Sequence, residues 1–206
     1  MPKLLRIDAS SRIHDSQSRE LANFFVNHWL NTHTDGEVIV RDLIAGSPPH
    51  ISDATVAGFY TSKDCQSSEH KQATALSDEL INELMEADVL LIDTPMYNFS
   101  IPSALKAWID QIVRIGETFN FSPDSGFEGL VTGKQAYVIT ASGASFADEN
   151  MKALDFMTPY LNTLLGFLGF TEIKFFTVEG TTTDESLFAQ SKKLAQQQIT
   201  SLGEKL

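Results

Sequence analysis

Val89-Leu90-Leu91-Ile92-Asp93-Thr94-Pro95-Met96-Tyr97-Asn98-Phe99-Ser100-Ile101-Pro102 is the stretch around which the chain is organised. Its four leading apolar residues run without alternation, which is how a strand covered on both faces reads. A turn follows. Pro102 then stands at an early position of a helix over 103–113, where a fixed φ and a missing N–H are tolerated. The segment is therefore a β-loop-α unit, and its loop lies at the carboxyl end of a buried strand, where open α/β sheets take their ligands. Met96-Tyr97-Asn98-Phe99 offers a flat aromatic ligand an apolar floor, a ring and amide groups. Ordinary packing of a βα turn against its neighbours accounts for the same residues equally well.

Upstream, residues 69–87 read as a helix with Ala73, Leu76, Leu80, Ile81 and Leu84 inward, delivering the chain into that strand. Leu4, Leu5, Ile7 and Ala9 begin the chain as a first strand ending at Ser10-Ser11. After a polar loop comes a helix whose apolar face collects Leu21, Phe24, Phe25, His28 and Trp29. Ser16 is its N-cap candidate. Strand end, loop and helix start together make a place where unpaired N–H groups and the positive end of the helix dipole hold a phosphate, with Ser10, Ser16 and Ser18 adding uncharged donors. Capping alone is the commoner reason for serines at such positions. No glycine-rich dinucleotide fingerprint and no Walker lysine is present, which argues against a nucleoside-triphosphate enzyme of the P-loop kind. A second strand covers 37–40. Residues 46–68 then read as a long irregular region: a lid, an interface or decoration.

Downstream, residues 115–130 form a loop rich in phenylalanine and glycine. Its aromatics wall a pocket, sit in a subunit interface or anchor the loop on its own core. A buried strand at 136–140 ends in Ala141-Ser142-Gly143-Ala144-Ser145, small residues that let a ligand approach the backbone. A helix begins near Pro159 and is stopped by glycines; a last strand covers 173–178. The final helix, 184–202, is expected to turn Leu187, Phe188, Leu194 and Ile199 inward. Five strands alternating with helices imply an α/β protein with one parallel sheet covered on both sides. If the strand order is 2-1-3-4-5, the strands beginning at Leu4 and Val89 flank a switch point where both loops meet.

The 206 residues fit a single domain over 1–206, and their net charge of −12 disfavours nucleic acid and anionic membranes as partners. With 42% hydrophobic residues and no apolar run of about 18, no transmembrane segment is expected, and a cytoplasmic location is the default. Cys65 is alone and has no metal-type pattern around it. The histidines are scattered; His14, in the phosphate-type loop, carries the most functional interest. No metal site, nucleophile elbow or outstanding carboxylate pair is visible. Such a site suits a protein that borrows its chemistry from a cofactor.

At this point the residues carry a resemblance that runs almost end to end. Ser10 with Ser16-Gln17-Ser18, Pro95-Met96-Tyr97-Asn98-Phe99 with Pro102, Leu105 and Lys106, Thr118-Phe119 with Gly129-Leu130 and Gly133-Lys134, and Thr158-Pro159-Tyr160-Leu161 with Leu165-Gly166-Phe167 and Gly169 resemble the FMN-dependent NADH-azoreductases. These are also described as NADH:quinone reductases of the flavodoxin-like superfamily. The resemblance implies a flavodoxin-like three-layer αβα sandwich with a five-stranded parallel sheet. It implies bound FMN, with Ser10, Ser16, Gln17 and Ser18 at the phosphate and Pro95, Met96, Tyr97, Asn98 and Phe99 at the isoalloxazine ring. Ala141, Ser142, Gly143 and Ala144 match the segment along the ring's polar edge, often Ser-Arg-Gly-Gly-like, so Ser142 and Ala144 depart from the pattern. NADH is the implied electron-donating co-substrate, and a quinone or azo compound the acceptor, reached by ping-pong transfer. A homodimer with sites at its interface is implied, with Phe119, Phe121 and Phe167 stacking on or bounding the acceptor. The alternative from another class is an FMN electron-transfer protein that turns over no organic substrate.

Overall fold

In the computed structural model, whose described residues are 1–203, the stretch from Val89 is the central strand of a parallel sheet. The chain runs β1 (Lys3–Asp8), α1 (Gln17–Thr32), β2 (Glu37–Asp42), α2 (Asp53–Phe59), α3 (Ser68–Glu86), β3 (Val89–Pro95), α4 (Ser103–Ile112), β4 (Phe119–Ser122), β5 (Gly126–Gly129), β6 (Gln135–Ala141), α5 (Glu149–Lys152), α6 (Met157–Leu168), β7 (Glu172–Val178) and α7 (Glu185–Thr200). The sheet order is β2-β1-β3-β6-β7, all parallel. Counted within this sheet, that is 2-1-3-4-5. The carboxyl ends of β1 and β3 are neighbours, and the chain leaves them toward opposite edges.

Alternation along β3 divides the interior into two cores. Leu90 and Ile92 face Leu80, Leu84, Leu105, Trp108, Leu161 and Leu165 of α3, α4 and α6, whereas Val89 and Leu91 face Leu21, Phe25, Trp29 and Ile199 of α1 and α7. Each fully buried side chain of this kind contributes on the order of 2 kcal/mol. The result is the expected αβα sandwich. Among the described residues no helix is long and apolar enough to cross a membrane.

Three local expectations are corrected. The irregular reading of 46–68 fails because Ser52 and Thr55 form a reciprocal capping box that starts α2. That helix docks on α3 at Gly58, where an added Cβ would lie 2.6 Å from the Thr74 methyl, and Arg114 places its guanidinium over the Phe59 ring. The loop at 115–130 contains the β4–β5 hairpin, with Phe119 opposite Gly129 and Phe121 opposite Phe127. Finally, Leu194 points outward, 54% exposed, and the smaller Ala195 takes the inward position against α1. A close helix–helix approach accepts a methyl where it would not accept an isobutyl group.

Candidate functional site

A cleft of about 420 Å³ opens at the carboxyl ends of β1, β3 and β6. Its walls carry Ser10, Ser16, Gln17, Ser18, Pro95, Met96, Tyr97, Ala141 and Gly143, all singled out from the sequence, together with Arg12, Asp15, Thr181 and Thr182, which were not. At one end stands the start of α1. Ser16 is its N-cap, its Oγ accepting from the Arg19 amide at 3.4 Å, and Asp15 before it is held at φ 57°. The amides of the first helical turn have no intrahelical acceptor and point toward the cleft end with the helix dipole behind them. The serine hydroxyls are chained: Ser16 Oγ donates to Ser10 Oγ at 2.9 Å and lies 3.3 Å from Ser18 Oγ, which donates to the buried Asp93 carboxylate at 2.9 Å. Ser16 thus caps the helix and faces the cleft at once, so for it the two sequence readings are not exclusive, whereas Ser18 caps nothing and bonds Asp93.

The other end lies beneath the turn after β3. Met96 N donates to Ala141 O at 2.8 Å, joining the ends of β3 and β6. Tyr97 and Ser100 exchange backbone hydrogen bonds of 2.9 and 3.0 Å around Asn98 and Phe99, whose φ values are 49° and 68°. Positive φ at both central residues is the type I′ pattern, and for phenylalanine it is a strained backbone held by its surroundings. Phe99 O accepts from Phe156 N at 3.1 Å, and its ring meets Phe146 edge-on. Asn98 and Phe99 therefore build the rim of the cleft rather than its wall.

The small-residue edge is pinned from behind. Ser142 is buried and its Oγ donates to Ala144 O at 2.8 Å, inside its own turn, while its carbonyl accepts from Thr181. Ser142 and Ala144 thus lie off the cleft wall, and Gly143 faces it. A Cβ on Gly143 would sit 2.6 Å from Thr182 Oγ1. Glu179 closes the loop by accepting from Ser145 Oγ and Phe146 N at 2.9 and 2.8 Å.

Phe119, Phe121 and Phe167 do not line this cleft. They form an aromatic group with Phe127 on the hairpin and α6, the Phe119 and Phe167 ring centres 4.8 Å apart. Phe121 and Phe127 remain 52% and 65% exposed, two adjoining apolar rings on the outer face of the hairpin. His14 is exposed and lies outside the cleft wall. The threonines that sequence reasoning missed follow β7. The rule that ligands gather at carboxyl strand ends, applied to that last strand as to the others, would have found them.

Behind the serines, the register sets three carboxylates abreast: Asp8 is the partner of Asp42 on one side and Asp93 on the other. Arg19 bridges Asp8 and Asp42 with contacts of 2.9 Å, and its guanidinium holds the Asp42 carboxyl down at about 2. Arg6, buried, donates to Asp8 and to Asn23 Oδ1. This cluster was not anticipated from the sequence, where no carboxylate pair stood out.

The sequence matches a family described as having a flavodoxin-like fold over residues 2–202. It is 42% identical over 199 residues to an FMN-dependent NADH:quinone oxidoreductase of Hydrogenovibrio crunogenus, covering 97% of this chain and 98% of the relative. A protein of the same name from Xanthobacter autotrophicus is 47% identical over 176 residues, covering 84% of each chain. Among solved structures, an azoreductase of Bacillus anthracis str. Sterne superposes over all of both chains with a TM-score of 0.91 at 23% identity, a likeness of fold. A second, an FMN-dependent NADH-azoreductase of Bacillus anthracis str. Ames Ancestor in complex with FMN, gives 0.86 at 24% identity, over 98% of this chain and 99% of that one. The chain therefore belongs to the flavodoxin-like family and, within it, to the family of the FMN-dependent NADH:quinone oxidoreductases.

Proposed function

We propose that the chain binds FMN in this cleft and uses it to carry two electrons from NADH to a quinone or an azo compound. One observation carries the assignment of the site. A single groove joins the hydroxyl and amide donors at the start of α1 to a wall of Pro95, Met96, Tyr97 and Gly143, so an anion-binding end and a ring-binding end face one elongated ligand. FMN has that form: a phosphate at one end, a fused aromatic ring at the other. Ser10, Ser16, Gln17 and Ser18 meet the phosphate at a helix start that supplies positive potential, with Arg12 beside them on the cleft wall. Pro95, Met96, Tyr97 and the turn at Asn98 and Phe99 bed the ring. The segment Ala141, Ser142, Gly143 and Ala144 approaches its polar edge, chiefly by backbone, since Ser142 spends its hydroxyl on Ala144.

Bound FMN supplies the hydride acceptance and two-electron transfer that no side chain here offers. The protein contributes position and polarity: amide donors along the ring edge, an apolar bed that excludes water, and a strained turn that fixes the rim. Donor and acceptor use the same open face in turn, which gives ping-pong kinetics, with each leaving before the other enters. The reading places the protein in the cytoplasm, where NADH is at hand. It also takes the exposed Phe121 and Phe127 as the face on which a second copy seats, forming a homodimer whose aromatic groups bound the acceptor space.

Anaerobic stopped-flow tests the activity. Mixing FMN-loaded protein with NADH is expected to bleach the flavin absorbance within seconds, and a quinone or azo dye then restores it; no bleaching would reject NADH as donor. Sedimentation velocity tests the assembly: a dimer is expected at micromolar concentration, and a monomer there contradicts the interface.

A further inference from the structure

The carboxylates behind the serines are not used by the reading just given, and their chemistry is unusual. Asp93 is 0% exposed and Asp8 5%. One Asp93 oxygen accepts from Ser18 at 2.9 Å; the other has no hydrogen-bond donor, the nearest Arg6 nitrogen standing 3.8 Å away. A fully buried, ionised carboxylate with an orphaned oxygen is costly, and a proton on that oxygen removes the cost. Asp8 is the register partner of Asp93 on the adjoining strand, so its carboxylate faces that proton. Among the described residues, the charged groups of the cluster are Arg6 and Asp8 from β1, Asp42 from β2, Asp93 from β3 and Arg19 from α1. The next strand places Ile139 beside Asp93, and Lys192 of α7 is engaged with Gln17 and Glu20. Three carboxylates thus meet two guanidiniums, and one proton brings the cluster to neutrality directly beneath the start of α1.

We propose that Asp93 carries a proton on its side toward Asp8, and that Asp93 is in this way a positioning residue for the anion-binding end of the cleft, holding the Ser18 hydroxyl and keeping uncompensated negative charge away from a bound phosphate. The inference rests on the reading of the cleft as an FMN site. Burial, and then the neighbouring Asp8, push the Asp93 carboxyl well above its usual range, against the opposing pull of Arg6 and Ser18. Ser18 donates inward to Asp93 while Ser16 donates to Ser10, so Asp93 anchors one end of the serine chain. An asparagine at 93 copies the protonated acid: its carbonyl accepts from Ser18 and its NH₂ donates to Asp8.

FMN and riboflavin affinities, measured by quenching of flavin fluorescence across neutral and alkaline pH, test this in wild type and Asp93→Asn. Wild-type FMN affinity is expected to fall roughly tenfold or more once Asp93 loses its proton, because an added buried charge then faces the phosphate dianion. Riboflavin affinity lacks that fall, and Asp93→Asn abolishes it while keeping the neutral-pH FMN affinity. Infrared spectra of the ligand-free protein give an independent readout: the carbonyl stretch of a protonated carboxylic acid is expected at neutral pH in wild type and is absent from Asp93→Asn. An FMN affinity whose pH profile is the same in both proteins, or a missing acid band, overturns the proposal alone. Failure of wild type to bind either flavin overturns the FMN reading and the proposal with it.

Discussion

Replacing Ser16 and Ser18 together by alanine is expected to weaken FMN binding by on the order of a hundredfold, while riboflavin binding changes by no more than about threefold. The two ligands differ only in the phosphate, so the ratio isolates the anion end of the cleft. Ser16 loses a hydroxyl that can hydrogen-bond a charged group, worth about 1.5–3 kcal/mol, and Ser18 loses its bond to Asp93, which holds the serine chain in place. The backbone amides at the start of α1 survive the substitution, which is why binding is weakened rather than abolished. Loss of the Ser16 cap costs about 1 kcal/mol of stability as well, but that loss lowers both affinities together. Parallel flavin titrations at fixed ionic strength decide the matter, and an equal loss for FMN and riboflavin would falsify the phosphate role.

Gly129→Ala is expected to lower the melting temperature by roughly 10 °C and to leave the chain monomeric while it still binds FMN. A Cβ at 129 would lie 2.3 Å from Gly169 N and 2.4 Å from the Leu168 carbonyl carbon. Both are backbone atoms at the end of α6, where Gly169 closes the helix at φ 112° and Val131 N donates to Leu168 O at 2.8 Å. Neither side can give way by a rotamer change. The hairpin must lift off α6, at a cost of about 3 kcal/mol, and Phe119 loses its contact with Phe167. The cleft lies elsewhere, so flavin binding separates from assembly in this variant. Thermal melts and sedimentation velocity measure the two effects. Unchanged melting with a retained dimer would show that the hairpin accommodates the methyl group and that the aromatic face does not depend on this contact.

How far each element was legible follows from the range of the interactions that make it. The unbroken apolar run of β3 and the Ser16 cap act within a few residues, and the structure keeps both; Pro102 stands one step earlier than expected, as the N-cap of α4 at ψ 148°. The hairpin at Phe119 and Phe127 gives no strand signal in the sequence, because its strands have four residues each and its pairing is stabilised by packing on α6. Helix α2 has a local capping signal, Ser52 with Thr55, but its seven residues are too few for a helical period to stand out in the sequence. The aspartates were legible one at a time as Ile7-Asp8, Arg41-Asp42 and Ile92-Asp93, each closing or nearly closing a strand. Nothing in a linear pattern says that these three strands are neighbours in register.

The sequence by itself determined the α/β alternation and nine of the residues that line the cleft, while the sheet order 2-1-3-4-5 stood only as a condition until the strands were paired. Periodicity, capping and turn chemistry are properties of short segments, and the family motifs are made of such segments. Only the tertiary structure decided that Ser142 turns away while Gly143 faces the cleft, that Thr181 and Thr182 complete its wall, and that Asp93 lies buried beneath Ser18 beside Asp8. Those outcomes depend on strand register and on which face a side chain takes, and both are set by contacts between segments up to about half the chain apart.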